Sequence, residues 1–105
     1  MSKIRAIIKR PDEPVGHVTH ISNTLKSFQK VVDGPIETVF ISSNVVMLVN
    51  EEGKIRGLQP NFWIGTIIRE LIVGTVCLVG TDGDEFVDCP MELETWKRLL
   101  NNWER

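Results

Sequence analysis

Lys54, Arg56, Asn61, Phe62, Trp63 and Arg69 lie close together in the chain, and their side chains suit recognition of an anionic ring compound. A guanidinium binds phosphate through paired hydrogen bonds, an aromatic face stacks a base, and an asparagine amide reads a ring edge. Gathered round one ordered loop, Lys54, Arg56, Asn61, Trp63 and Arg69 would line a pocket for a nucleotide-like small molecule. A plainer arrangement has Phe62 and Trp63 capping a sheet edge with the arginines in water. Aromatic residues beside strands more often serve core or interface, so the plainer arrangement carries more weight.

Metal chemistry has weaker support. His17 and His20 are spaced H-x-x-H, and with Cys77 and Cys89 they make up four ligand types that zinc accepts. Structural zinc sites, however, use a close Cys-x-x-Cys pair or a helical histidine pair, and here eleven residues separate the cysteines (89 minus 77 is 12). Asp82, Asp84, Glu85 and Asp88 are reminiscent of a calcium loop, but Phe86 and Val87 occupy the positions that need an oxygen ligand and a glycine. A solvated turn is the expected reading. No nucleophile elbow, phosphate-loop Gly-Lys-Ser/Thr or Gly-x-Gly-x-x-Gly occurs, so no metal, cofactor or catalytic residue is assigned and a non-enzymatic protein is expected.

The elements that would position these side chains follow from periodicity. Residues 4–8 are apolar and β-branched and stop at Lys9-Arg10-Pro11, a first strand. Residues 12–20 hold Pro14 and Gly16 and read as a loop or the return arm of an irregular hairpin. Ser22 and Asn23 are both good N-caps for a helix over 24–32, where Leu25, Phe28, Val31 and Val32 recur at helical spacing and Gly34-Pro35 ends the pattern. Residues 36–41 and 45–49 predict a hairpin turned at Ser42-Ser43-Asn44. A second turn at residues 50–53, with Gly53 free to take positive φ, leads to a strand over 54–58 and then an ordered loop over 59–65. The long apolar run 71–79 suits a central strand buried on both faces, and Phe86-Val87 can pair with it after the turn at 82–85.

The last element is a helix. Pro90 fits its first turn, Glu92 and Glu94 suit its positive end, and Trp96, Leu99, Leu100 and Trp103 form one stripe. Trp96 and Trp103 project from the same face, and a single small sheet is not expected to cover both indoles. Surplus aromatic surface marks an interface, so a homodimer or higher oligomer is expected through these two residues. The whole pattern, β-α-β-β-β-loop-β-α, is an α+β domain with two helices on a mostly antiparallel sheet.

Bulk properties bound the function classes. At 105 residues one compact domain spanning 1–105 is expected, and 42% hydrophobic with 25% charged residues is ordinary for a globular protein. A formal net charge of -2 makes direct nucleic-acid binding a poor expectation. No apolar run nears the roughly 18 residues of a membrane span, and Met-Ser-Lys-Ile-Arg lacks a signal-peptide core, so the expected compartment is the cytoplasm. Both cysteines are expected to be reduced, with Cys77 acting as a small hydrophobe. Charge is uneven. Residues 1–30 hold six Lys/Arg against two acids, 31–60 hold two against four, and 61–105 hold four against eight. That acidic last third raises a nucleic-acid mimic as an alternative, although its acids form no dense stripe.

The run from Asn50 through Gly53-Lys54-Ile55-Arg56-Gly57 to Pro60-Asn61, followed by Ile72-Val73-Gly74-Thr75 and Val79-Gly80-Thr81-Asp82-Gly83, resembles the family known as domain of unknown function 3846. The likeness covers nearly the whole chain and includes Asn23-Thr24-Leu25 at the helix start. Where members are commonly basic after the Pro-Asn pair, this chain has Phe62-Trp63. The resemblance implies small proteins of phages, prophages and other mobile elements and transfers no catalytic residue. A non-enzymatic accessory protein that binds a host component, such as a defence factor, is therefore expected. The partners to weigh are a host protein and a nucleotide-like small molecule.

Overall fold

The chain runs β1 (Lys3–Lys9), β2 (His17–Ser22), α1 (Leu25–Val32), β3 (Ile36–Ser42), β4 (Val45–Asn50), β5 (Pro60–Ile64), β6 (Glu70–Val73), β7 (Val76–Asp82), β8 (Glu85–Val87) and α2 (Leu93–Trp103). The computed structural model describes residues 2–104. β4 and β7 are apolar at successive positions, so each presents oily side chains on both sides and must be covered twice. They pair at the middle of an antiparallel sheet ordered β2-β1-β7-β4-β3, and β8 pairs with β7. On one face Ile4, Ala6, Ile8, Val46, Leu48, Cys77 and Val79 meet Phe28 of α1. On the other, Ile7, Val45, Met47, Val76 and Leu78 meet Trp96, Leu100 and Trp103 of α2. The β5–β6 hairpin, a separate two-stranded sheet, joins that second core through Phe62 and Ile72.

The α+β class with two helices on an antiparallel sheet is as the sequence implied, but the strand count is higher. β2 is the return arm of the first hairpin, paired from Lys3↔Ser22 to Ile8↔His17. The expected strand over 54–58 is instead a series of turns, closed by Arg56 N–H to the Glu52 carbonyl and Leu58 N–H to that of Gly53. Positive φ falls on Gly57, at 68°, and not on Gly53. The expected loop over 59–65 is strand β5. The apolar run 71–79 is two strands, because Gly74 at φ 76° breaks it and sends each half to a different sheet.

Helix ends also depart from expectation. Thr24, not Ser22 or Asn23, caps α1, its hydroxyl accepting the Ser27 N–H at 3.2 Å. Asp33 turns left-handed at φ 66°, and Asn50 donates to the Val32 and Asp33 carbonyls at 3.0 and 2.9 Å, which ties the helix end to β4. Pro90 precedes α2 instead of opening it, and Glu92 is the residue at the cap. The segment before α2 is pinned to β1 by the Arg5 guanidinium, which donates to the carbonyls of Cys89 and Met91 at 2.6 and 2.8 Å. Gly80 is required there, since a Cβ would stand 2.2 Å from the Asp88 carbonyl oxygen.

Candidate functional site

The β5–β6 hairpin and the turns over 51–57 together carry most of the residues singled out for chemistry. The hairpin's base is fixed first. Asn61 donates to the carbonyls of Lys9 and Gly74 at 3.0 and 2.8 Å, and its own oxygen accepts from the Lys9 ammonium. That ammonium stands 5.5 Å from the Phe62 ring centroid. Desolvation lowers the Lys9 pKa, against the opposing pull of Glu13, Glu104 and Asp12. Phe62 lies edge-on to Trp96 at 5.6 Å and stacks on Trp103 at 6.1 Å, while the two indoles meet edge-on at 5.9 Å. Trp96 Nε1 donates to the Val15 carbonyl at 2.9 Å. Both tryptophans are buried by their own chain, so Phe62 supplies the cover that the sheet alone was not expected to provide.

The hairpin's outer end has no such cover. Its strands pair as far as Ile64↔Glu70, leaving residues 65–69 as the tip. Gly65 makes the turn at φ 93°, where a Cβ would meet the Ile68 carbonyl oxygen at 2.3 Å. Ile67 and Ile68 are 93% and 90% exposed. Arg69 braces the tip from below. Its guanidinium stands 5.5 Å from the ring centroid of Trp63, which is 46% exposed, and Nη2 donates to the Trp103 carbonyl at 2.6 Å at the end of α2. Beside β6, the Lys54 ammonium pairs with Glu70 at 3.2 Å, and both line a cleft of about 140 Å³ floored by Val49 and Ile72. Ile55, in the same wall, is 87% exposed.

The five expected ligand contacts are thus distributed and do not converge on one pocket. Lys54 is at the cleft, Asn61 is locked between the two sheets, and Trp63 and Arg69 stack on each other near the tip. Arg56 is engaged at the end of α1, with Nη1 on the Asp33 carbonyl and Nη2 on its carboxylate at 3.2 Å. Four of these side chains already have structural duties, and Phe62 is core. Ile55, Ile67, Ile68 and Glu70 are the residues that sequence reasoning passed over. The signal for the tip was an adjacent isoleucine pair directly after Gly65-Thr66.

The other constellations come apart in space. Cys77 packs on the α1 face and Cys89 on the α2 face, while His17 Nδ1 stands 2.8 Å from Glu13. Burial pushes the Cys77 thiol up to about 12, which removes it from nucleophilic chemistry near neutrality. Asp88 accepts the Arg5 backbone N–H at 2.7 Å. Among the described residues no group of three or more His, Cys, Asp or Glu has metal-holding geometry, and no helix is long and apolar enough to cross a membrane.

A family model described as "Domain of unknown function (DUF3846)" matches residues 4–101. No curated protein and no solved structure matches the chain.

Proposed function

The chain belongs to the DUF3846 family, and from that premise we propose that it is a non-enzymatic accessory protein of a phage or other mobile element that binds a host protein through the tip of the β5–β6 hairpin. The phage or mobile-element setting, and with it action in the host cytoplasm, follows from the resemblance described above. One observation carries the choice of surface: two adjacent isoleucines, 93% and 90% exposed, at a tip whose conformation is held from within the fold. Single exposed apolar residues are ordinary, but a paired, braced and projecting set is what a partner's apolar cleft can accept. The Arg69–Trp63 stack and the Arg69 bond to α2 reduce the ordering cost of docking. Nearby Ile55 and the half-exposed Trp63 widen the apolar contact, and the Glu51 carboxylate suits a basic group on the partner's rim.

Photo-crosslinking from a residue at the tip tests this reading. A host protein captured from lysate by the wild type, purified and shown to bind it directly, should fail to bind an Ile67→Asp, Ile68→Asp variant of unchanged melting temperature. A direct partner that binds both proteins equally well sinks the hairpin as the docking surface.

A further inference from the structure

The β3 edge offers a second, independent surface. β3 ends the sheet, so its outer row of backbone N–H and C=O groups has no strand beside it. Edge strands are commonly protected by lysine, proline or a covering element, yet Ile36-Glu37-Thr38-Val39-Phe40-Ile41-Ser42 has one charge and a bulge at its far end. Each face of this edge is left apolar. On the α1 side Phe40, opposite Val46, is 71% exposed. On the α2 side an open groove of about 720 Å³ runs between β3 and α2, lined by Ile41, Met91, Leu99 and Arg98 among others. An added strand would hydrogen-bond the edge while covering Phe40 on one side and filling the groove on the other.

We propose that the occupant is β3 of a second copy of this chain, paired antiparallel about a two-fold axis through Val39. Charge complementarity selects it. In that register Thr38 of each copy lies opposite Phe40 of the other, and Glu37 lies opposite Ile41. Glu37, on the α2 side of the sheet, then enters the other copy's groove, whose rim carries Arg98. Among the described residues neither Glu37 nor Arg98 has an ion-pair partner within its own chain. The two-fold makes this contact twice, and an isologous interface closes on itself without polymerising. The α2 indoles play no part in it, and the hairpin tip stays free.

Sedimentation equilibrium from about 1 to about 200 µM, the range in which a micromolar dimer forms and dissociates, tests the proposal. The wild type should pass from the 11.9 kDa chain to twice that mass. Phe40→Glu should remain monomeric. Glu37→Arg and Arg98→Glu should each weaken association by roughly tenfold, which corresponds to about 1.4 kcal/mol, and the double reversal should restore it. The rescue stands even if Phe40→Glu folds poorly. A monomer at every concentration overturns the proposal and leaves the edge to a foreign strand. A dimer indifferent to the charge reversals overturns the register, and one that Phe40→Glu leaves intact overturns the surface.

Discussion

The two ends of the β5–β6 hairpin are made from similar residues and face opposite conditions. At the base, Phe62, Ile72 and Asn61 are each answered by the fold, with aromatic rings, an apolar core and two carbonyls. At the tip, Ile67 and Ile68 are answered by nothing in the described chain, although Arg69 and Trp63 hold the loop beneath them. Residue type therefore does not separate the end that holds the fold from the end proposed to bind. Satisfaction does: an apolar group with its contacts made contributes stability, and one held in place without contacts is available to a partner.

The contrast is most directly challenged at the base. Phe62→Ala should destabilise the protein by about 3–5 kcal/mol, the usual cost of emptying a buried aromatic site, read from denaturant melts. A loss comparable to a surface change would mean that the hairpin is only loosely attached. Alkaline titration comes next and gives a control that belongs to neither end. Cys77 has its pKa raised by burial from the usual 9.0 to about 12, so its stabilising contribution is complete below pH 9 and disappears as pH rises toward 12. The full loss is about 4 kcal/mol for a shift of this size. Lys9 acts in the opposite sense, since its lowered pKa lets stability rise as pH climbs toward 10.5. Comparing the pH dependence of the wild type with that of Cys77→Ala, which removes the titrating thiol without overfilling its site, isolates the cysteine, and tip variants should share the wild-type curve.

Asn61→Ala should cost about 2 kcal/mol, because it strands two carbonyls and leaves the Lys9 ammonium without its amide partner. Adding Lys9→Met to that variant should recover part of the loss in thermal melts. If it does not, the Lys9–Asn61 contact is incidental to the joint between the sheets. Trp63→Ala should be smaller still, about 1 kcal/mol or less, reflecting a half-exposed ring that stacks against one guanidinium. A loss as large as that of Phe62→Ala would move Trp63 from the tip's support into the core.

Much of the fold was legible because its signals are local. Short apolar, β-branched runs marked β3 and β4, and the Trp96-Leu100-Trp103 stripe marked α2. The misreadings share a cause, which is that the deciding contact lies far away in sequence. Lys54-Ile55-Arg56 alternates as a strand would, but turn hydrogen bonds take its backbone groups instead. Pro60 and Gly65 suggested a loop, while the partner that makes β5 a strand was hidden in an apolar run that reads as one piece until Gly74 reverses it. The surplus indoles found Phe62 more than thirty positions earlier, so the interface inferred at Trp96 and Trp103 has no exposed surface to use. At the candidate site, residue chemistry was legible but prior commitments were not. Nothing in the sequence says that Arg56 holds the end of α1, or that Asn61 joins two sheets.

The smallest expected stability effect belongs to the residues proposed to bind, Ile67 and Ile68. Ile67→Asp with Ile68→Asp removes only solvent-facing side chains, so its melting temperature should match the wild type within the few tenths of a kcal/mol typical of surface changes. Calorimetric titration of the purified host partner into this variant, beside its melt, is the decisive measurement. The expected result is an unchanged melt with binding weakened at least about a hundredfold, as for the loss of a central apolar anchor. An unfolded variant, or an unchanged melt with wild-type affinity, contradicts the division of the hairpin into a base that holds and a tip that binds.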